Sequence, residues 1–238
     1  MATIRLRRII TASAVTVALA ATMAPPALAA GIRVEGPKAT IYQGTVRPAM
    51  GSLRDNTGAV HTTTKRTALG ALVRASRVKP FPLKLGWFDT FGGGWTGFYL
   101  LSINRITPPD TAGWFTKVNQ KLLGVGSGAK TVGPGDRVLV YYSTFDSEFA
   151  TNPTLGIGAS DRTPTVGEKV TIDVAQFNDL GTRSAAANAW VWVNGVGTKT
   201  DPTGHATIRL GNPGRYAVRA TKQGTIRSRT VWVRASTS

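Results

Sequence analysis

Ala189-Trp190-Val191-Trp192-Val193-Asn194-Gly195 is the stretch that decides the fold of the C-terminal half. Val191 and Val193 alternate with Trp190 and Trp192, the period-two pattern of a strand with one face in a core. Asn194-Gly195 supplies two residues that accept positive φ, the signal of a tight hairpin. β-Branched residues suit a pleated core face, so Ala189, Val191 and Val193 are expected inward and Trp190 and Trp192 outward. Two alternatives stand beside that reading: the tryptophan face is itself the core, or another part of the chain covers it.

The same pattern extends in both directions. Upstream, Val170, Ile172 and Val174 alternate with Lys169, Thr171 and Asp173. Downstream, Asp201-Pro202-Thr203-Gly204 turns into a strand over residues 206–210, and Asn212-Pro213-Gly214 turns into another over 216–220. A last strand is read over 226–233, where Trp232 opposes Val231 and Val233. Short strands separated by turn signals at about ten-residue spacing predict a β-sandwich over residues 155–238. Residues 149–154 read as a linker before it.

The preceding part, residues 30–148, mixes strands with one helix. A strand is expected over 39–46, followed by an irregular stretch marked by Pro48, Gly51 and Gly58. Thr67 is placed to cap a helix over 68–76, with Ala68, Leu69, Leu72 and Val73 on one stripe and Pro80 and Pro82 beyond its end. Strands follow over 83–88, 98–103, 114–118 and 137–142, with Phe91-Gly92-Gly93-Gly94-Trp95 as a turn. The prediction is a mainly-β chain: an α+β sheet covered on one face by the helix, then an all-β sandwich.

Residues 1–29 carry the features of a signal peptide. Arg5, Arg7 and Arg8 form a positive segment, residues 9–23 an apolar one, and Ala27-Leu28-Ala29 a small-x-small site cleaved after Ala29. No later run approaches the roughly 20 apolar residues of a membrane span. With no Cys there is neither a disulfide framework nor a thiol for an acyl anchor. The expectation is an exported protein, extracellular or associated with the cell envelope.

Charge follows from that cleavage. The chain has 29 Lys and Arg against 12 Asp and Glu, and losing the three leader arginines leaves +14 of the original +17. The excess is shared, +8 over residues 30–148 and +6 over 149–238, so no basic tail accounts for it. Such a cation is drawn to anionic polymers by a salt-screened attraction. Composition bias and solubility are the alternative explanation. No Lys/Arg run, helix-turn-helix pattern or ribonucleoprotein motif points to nucleic acid.

Several of these stretches carry a resemblance. Thr67-Ala68-Leu69-Gly70-Ala71-Leu72, Tyr99-Leu100-Leu101-Ser102-Ile103-Asn104, Gly113-Trp114-Phe115-Thr116-Lys117-Val118-Asn119 and Gly133-Pro134-Gly135-Asp136-Arg137-Val138-Leu139-Val140-Tyr141-Tyr142 resemble the transcobalamin-like C-terminal domain, a bacterial family of unassigned function. The resemblance implies a β-grasp-like fold similar to the small domain that closes over cobalamin in animal carriers. Gln120 departs from the family's Gly, and no helical barrel accompanies the domain, so fold alone does not imply cobalamin binding. In the second half, Thr200-Asp201-Pro202-Thr203-Gly204 and Gly214-Arg215-Tyr216-Ala217-Val218 resemble immunoglobulin-like or carboxypeptidase-regulatory-like modules of secreted proteins, which implies an adhesive or spacer role.

Catalytic chemistry is sparsely supplied. The two histidines, His61 and His205, read as surface polar residues in a loop and after a turn, and Asp146 and Glu148 as solvating the linker. Gly124-Val125-Gly126-Ser127-Gly128-Ala129-Lys130-Thr131 nearly spells a phosphate loop, but Ala129 replaces the required Gly and no helix pattern follows. It reads as a connection between strands. No metal or cofactor set is read.

Aromatic residues are the candidates for binding: Trp190, Trp192 and Trp232 on the sandwich, and Trp95, Tyr99 and Trp114 in the first half. Trp87, Phe88, Phe91 and Trp95 around the triple-glycine turn read as core or as a ligand rim. The function expected is a non-catalytic binding or envelope-associated protein contacting anionic or glycan polymer. Capture of a small, cobalamin-like ligand by the first domain is second, through a concave pocket near Trp95, Tyr99 and Trp114. An enzyme is third. Domain docking and oligomeric state are open at this level.

Overall fold

The computed structural model describes residues 28–91 and 95–237, so most of the expected signal peptide and the triple-glycine turn lie outside the described residues. The elements of the first half are β1 (Ala30–Glu35), β2 (Thr40–Val46), β3 (Gly51–Arg54), β4 (Val60–Thr63), α1 (Ala68–Val78), β5 (Leu83–Phe91), β6 (Trp95–Ile103), β7 (Ala112–Val118), β8 (Lys121–Leu122) and β9 (Arg137–Thr144). Those of the second are β10 (Thr154–Ala159), β11 (Lys169–Phe177), β12 (Arg183–Ala185), β13 (Trp190–Val193), β14 (Val196–Lys199), β15 (His205–Arg209), β16 (Gly214–Thr221) and β17 (Val231–Ala235). The chain is mainly β, as its patterning predicts.

The first half is a five-stranded sheet in the order β2-β1-β9-β7-β8, with β1 parallel to β9. Helix α1 lies on the face formed by Ile32, Val34, Val138, Val140, Trp114 and Val118. Thr67 caps it as expected, its hydroxyl accepting the Gly70 N–H at 3.1 Å. Gly70 is where the helix meets the backbone: a Cβ there would lie 2.2 Å from the Ala49 carbonyl oxygen, whose own N–H donates to the Gly70 carbonyl. Two features depart from expectation. The stretch around Gly51 and Gly58, read as irregular, is the β3–β4 ribbon, turned by Asp55, whose Oδ1 accepts the Thr57 and Ala59 N–H groups. The interior strand β1 had no counterpart in the sequence reading, because Ile32-Arg33-Val34-Glu35 puts charge on a face that becomes buried.

The second half holds a separate hydrophobic cluster between two sheets. One is β10-β11-β12 with β15 on β11, the other β14-β13-β16-β17. Val170, Ile172 and Val174 face Val191, Val218, Ala220 and Val233, all fully buried. Each such valine contributes about 1.5–3 kcal/mol of transfer free energy. The Asn194-Gly195 turn has φ of 47° and 86°, the primed geometry that matches strand twist. The last strand begins at Val231 rather than 226. Ser228 takes over the ladder before it, its hydroxyl accepting the Ala220 N–H at 2.7 Å.

The other face of the first sheet meets the second half. Lys117 is fully buried; its ammonium lies 3.1 Å from Asp179 and donates to the Asn178 carbonyl at 3.0 Å. Glu35, 1% exposed, accepts from the Thr40 hydroxyl, and Arg227 Nε lies 2.8 Å from its Oε2, off the line of a hydrogen bond. Burial pushes the Glu35 carboxyl up, against Arg33 and Thr40, which hold it down. Arg33 donates to the Arg227 carbonyl at 2.7 Å, and burial lowers its pKa to about 10. Gln43 pairs with the Thr230 backbone through two bonds of 2.9 Å. Residues 149–154, read as a linker, are anchored here: Thr151 exchanges a 2.7 Å hydrogen bond with Tyr141 and donates its N–H to Asp179 at 2.8 Å. Asp146 caps the preceding turn, accepting the Ala150 N–H.

Candidate functional site

Strand parity builds the site. Ala189 and Val191 are fully buried, so Trp190 and Trp192 project from the opposite face of β13, and Trp232 projects likewise from β17. Trp190 is 39% and Trp232 45% exposed. The rings of Trp190 and Trp192 stack at 5.5 Å and 26°. Beneath them Gly197, paired with Trp192 across β13–β14, leaves the space: a Cβ there would meet the two rings at 2.9 and 3.0 Å. The Trp192 indole N–H donates to the Thr221 hydroxyl at 2.8 Å, which fixes the ring.

Cations complete this face. Lys199 Nζ lies 5.1 Å from the Trp190 ring centroid, and the Arg215 guanidinium lies 4.0 Å from that of Trp232. Arg219 sits opposite Trp192 on β16. Each cation–aromatic contact is worth about 0.5–1 kcal/mol at an exposed site. Trp232 on β17 lies two strand spacings from β13 and is offset along the strands by two residues from Trp192 and four from Trp190, so roughly 12 and 17 Å separate the backbone positions. The arrangement offers flat aromatic surface and positive charge together, chemistry suited to sugar rings and acidic substituents rather than to proton transfer. The sequence reading missed Gly197, Lys199, Arg215 and Thr221, although their shared parity with the tryptophans was available once the register was known.

Of the first-half candidates, the two whose side chains are described are packed against their neighbours. Trp114 is a core residue, 8% exposed, with its indole N–H donated to the Ile106 carbonyl at 3.1 Å and its ring edge-on to Tyr142. Tyr99 stacks on Phe88 at 4.1 Å and lies over Gly86, where a Cβ would overlap its ring. Trp95 begins β6, and its side chain is outside the described ones. Trp87 takes the core reading: it packs edge-on against Phe98 and donates its indole N–H to Asp89.

His61 is more buried than a surface reading implies, whereas His205 is exposed as read. His61 lies on β4, stacked 3.6 Å from Trp87, with Nε2 2.9 Å from Asp55. Asp55 is held well below the usual carboxylate range, first by the Thr57 hydroxyl and then by His61. His205 opens β15, with Nδ1 2.8 Å from the Thr203 hydroxyl and Nε2 3.6 Å from Asp173. No group of three or more His, Asp or Glu able to hold a metal occurs among the described residues. The phosphate-loop look-alike closes the N-terminus of α1: its Ser127 and Lys130 carbonyls accept the Leu69 and Ala68 N–H groups. Those amides are therefore committed within the fold.

Fold and face together define a mainly-β protein with an aromatic and cationic platform on a two-sheet sandwich. Residues 86–144, from within β5 to the end of β9, match the model of a domain of unknown function, DUF4430, which is transcobalamin-like. That match takes in three of the four stretches that carried the resemblance in the first half and lies outside the platform. No curated protein matches the chain. Among solved structures, a polysaccharide lyase is 9% identical with a TM-score of 0.31, covering 66% of this chain and 26% of its own. The chain thus spans about a quarter of that protein's length.

Proposed function

We propose that this chain is an exported, non-catalytic binding protein of the envelope or extracellular space that contacts anionic or glycan polymer through Trp190, Trp192 and Trp232. The observation that carries the reading is the stacked Trp190–Trp192 pair, held open by Gly197 and rimmed by Lys199. Large aromatic surface kept in water on a rigid sheet costs solvation free energy, and binding recovers it. The leader-like residues 1–29 and the charge excess in both halves support export and an acidic partner.

The test is co-sedimentation with insoluble polysaccharide and purified envelope polymer at moderate salt, with tryptophan fluorescence in parallel. Trp190→Ala/Trp192→Ala is expected to weaken binding at least tenfold while leaving the unfolding midpoint near that of the parent. Undiminished binding by that variant refutes the platform.

A further inference from the structure

A cleft of about 970 Å³ runs between the two halves. Gly31, Gly44, Gly156 and Gly158 line it from β1, β2 and β10; the Tyr42 and Phe177 rings cover Gly44 and Gly156, and Gly158 opens onto free space. That volume is at the upper end of small-molecule sites, roughly 300–1,000 Å³. Trp232 lines it too, so the platform and the cleft share one wall.

The charges in the cleft do not balance. Four arginines line it, Arg33, Arg137, Arg183 and Arg229, against two carboxylates, Asp136 and Asp173. Arg33 is committed to the Arg227 carbonyl and Glu35, and Arg183 makes a two-pronged contact with Asp173 at 2.9 and 3.0 Å. Asp136 accepts from the Gly133 N–H and the Asn119 amide, both neutral donors. Among the described residues, no side-chain hydrogen bond or ion pair engages the guanidinium of Arg137 or Arg229. The two come from opposite halves, Arg137 from the start of β9 and Arg229 from the segment before β17. Burial lowers the pKa of Arg229, and the nearby charges of Arg137 and Arg162 lower it further. Arg137 and Arg229 thus outnumber Asp136, the one lining carboxylate that no cation contacts, and an arriving oxyanion offsets the excess.

We infer that the cleft binds the acidic group of a saccharide, with a carboxylate, sulfate or phosphate held between Arg137 and Arg229 and a sugar ring against Trp232. Guanidinium forks match the planar or tetrahedral oxyanions of such groups. A polymer lying across the platform from Trp190 and Trp192 would reach this subsite at Trp232. The inference rests on the saccharide-binding reading above and names the acidic subsite that the platform lacks.

The experiment is calorimetric titration of the full chain with tetragalacturonate and with its methyl ester, a neutral ligand of equal length, plus inorganic phosphate as the free anion. The parent is expected to bind the acid at least tenfold tighter than the ester, and phosphate far more weakly than either. Arg137→Gln/Arg229→Gln is expected to erase the acid–ester difference, leave ester binding in place and not lower the unfolding midpoint. A purely structural pair of arginines would instead lower that midpoint. Equal binding of acid and ester by the parent, or a difference that survives in the double variant, overturns the cleft and leaves the platform standing. Phosphate binding as tight as that of the acid overturns the saccharide part of the inference. Failure of both oligosaccharides overturns platform and cleft together.

Discussion

Replacing Lys117 by Met tests the joint between the two halves, on which the cleft depends. Lys117 is fully buried on β7, and its ammonium meets Asp179, the Asn178 carbonyl and, at 3.4 Å, the Phe177 carbonyl. Removing one partner of a buried ion pair costs about 3–5 kcal/mol, since the other charge is left without compensation. Asp179 is not stranded completely. Its side chain is 21% exposed and keeps the N–H and hydroxyl of Thr151. The loss is therefore placed at about 2–4 kcal/mol, or roughly 5–15 °C in unfolding midpoint for a chain of this size. The methionine fills the aliphatic path of the lysine, so little cavity cost is added. Urea unfolding followed by tryptophan emission is the assay, because tryptophans lie in both halves. The variant should unfold at lower urea, and a double cycle with Asp179→Asn should give a coupling of at least about 1 kcal/mol. A loss below about 1 kcal/mol with no coupling refutes the claim that this pair holds the halves together.

Three further outcomes follow from single residues. Gly70→Ala gains about 1 kcal/mol of helix propensity, yet the added carbon would press on the Ala49 carbonyl at 2.2 Å; a net loss of about 1–3 kcal/mol by chemical denaturation is expected, and a gain would show that the helix can move away. Gly197→Val should displace the Trp190 and Trp192 rings, changing their fluorescence and weakening polymer binding, with less than about 1 kcal/mol of stability at this exposed strand. Asp136 has its pKa lowered by the Gly133 N–H and then by Asn119. Its stabilising contribution is therefore present above the unfolded value near 4 and is lost as pH falls through the folded one. Between pH 5 and 2.5, Asp136→Asn should lose less stability than the parent, and parallel curves would refute that assignment.

Alternation along 189–193, the Asn194-Gly195 hairpin and the Thr67 cap were legible because each acts over a few residues. Side-chain parity, turn dihedrals and an N-cap hydrogen bond need no distant partner. From them came the mainly-β class, the helix after Thr67 and the outward tryptophans. Trp114 was misjudged because an aromatic in an alternating strand reads the same whether its face meets water or a helix. His61 was misjudged because its partners Trp87 and Phe98 lie on other strands.

What the sequence alone determined is the set of local rules: which residues alternate, where the chain turns and where charge exceeds acid. Only the tertiary structure decided what covers each face. Strand β1 pairs in parallel with β9 about a hundred residues later, and its Arg33 and Glu35 look like solvent-facing charges until the second half closes on them. The same closure buries Lys117, anchors residues 149–154 and brings Arg137 and Arg229 to one cleft. Burial is a property of surfaces that meet in space, so local spacing does not distinguish a charge bound for solvent from one bound for an interface.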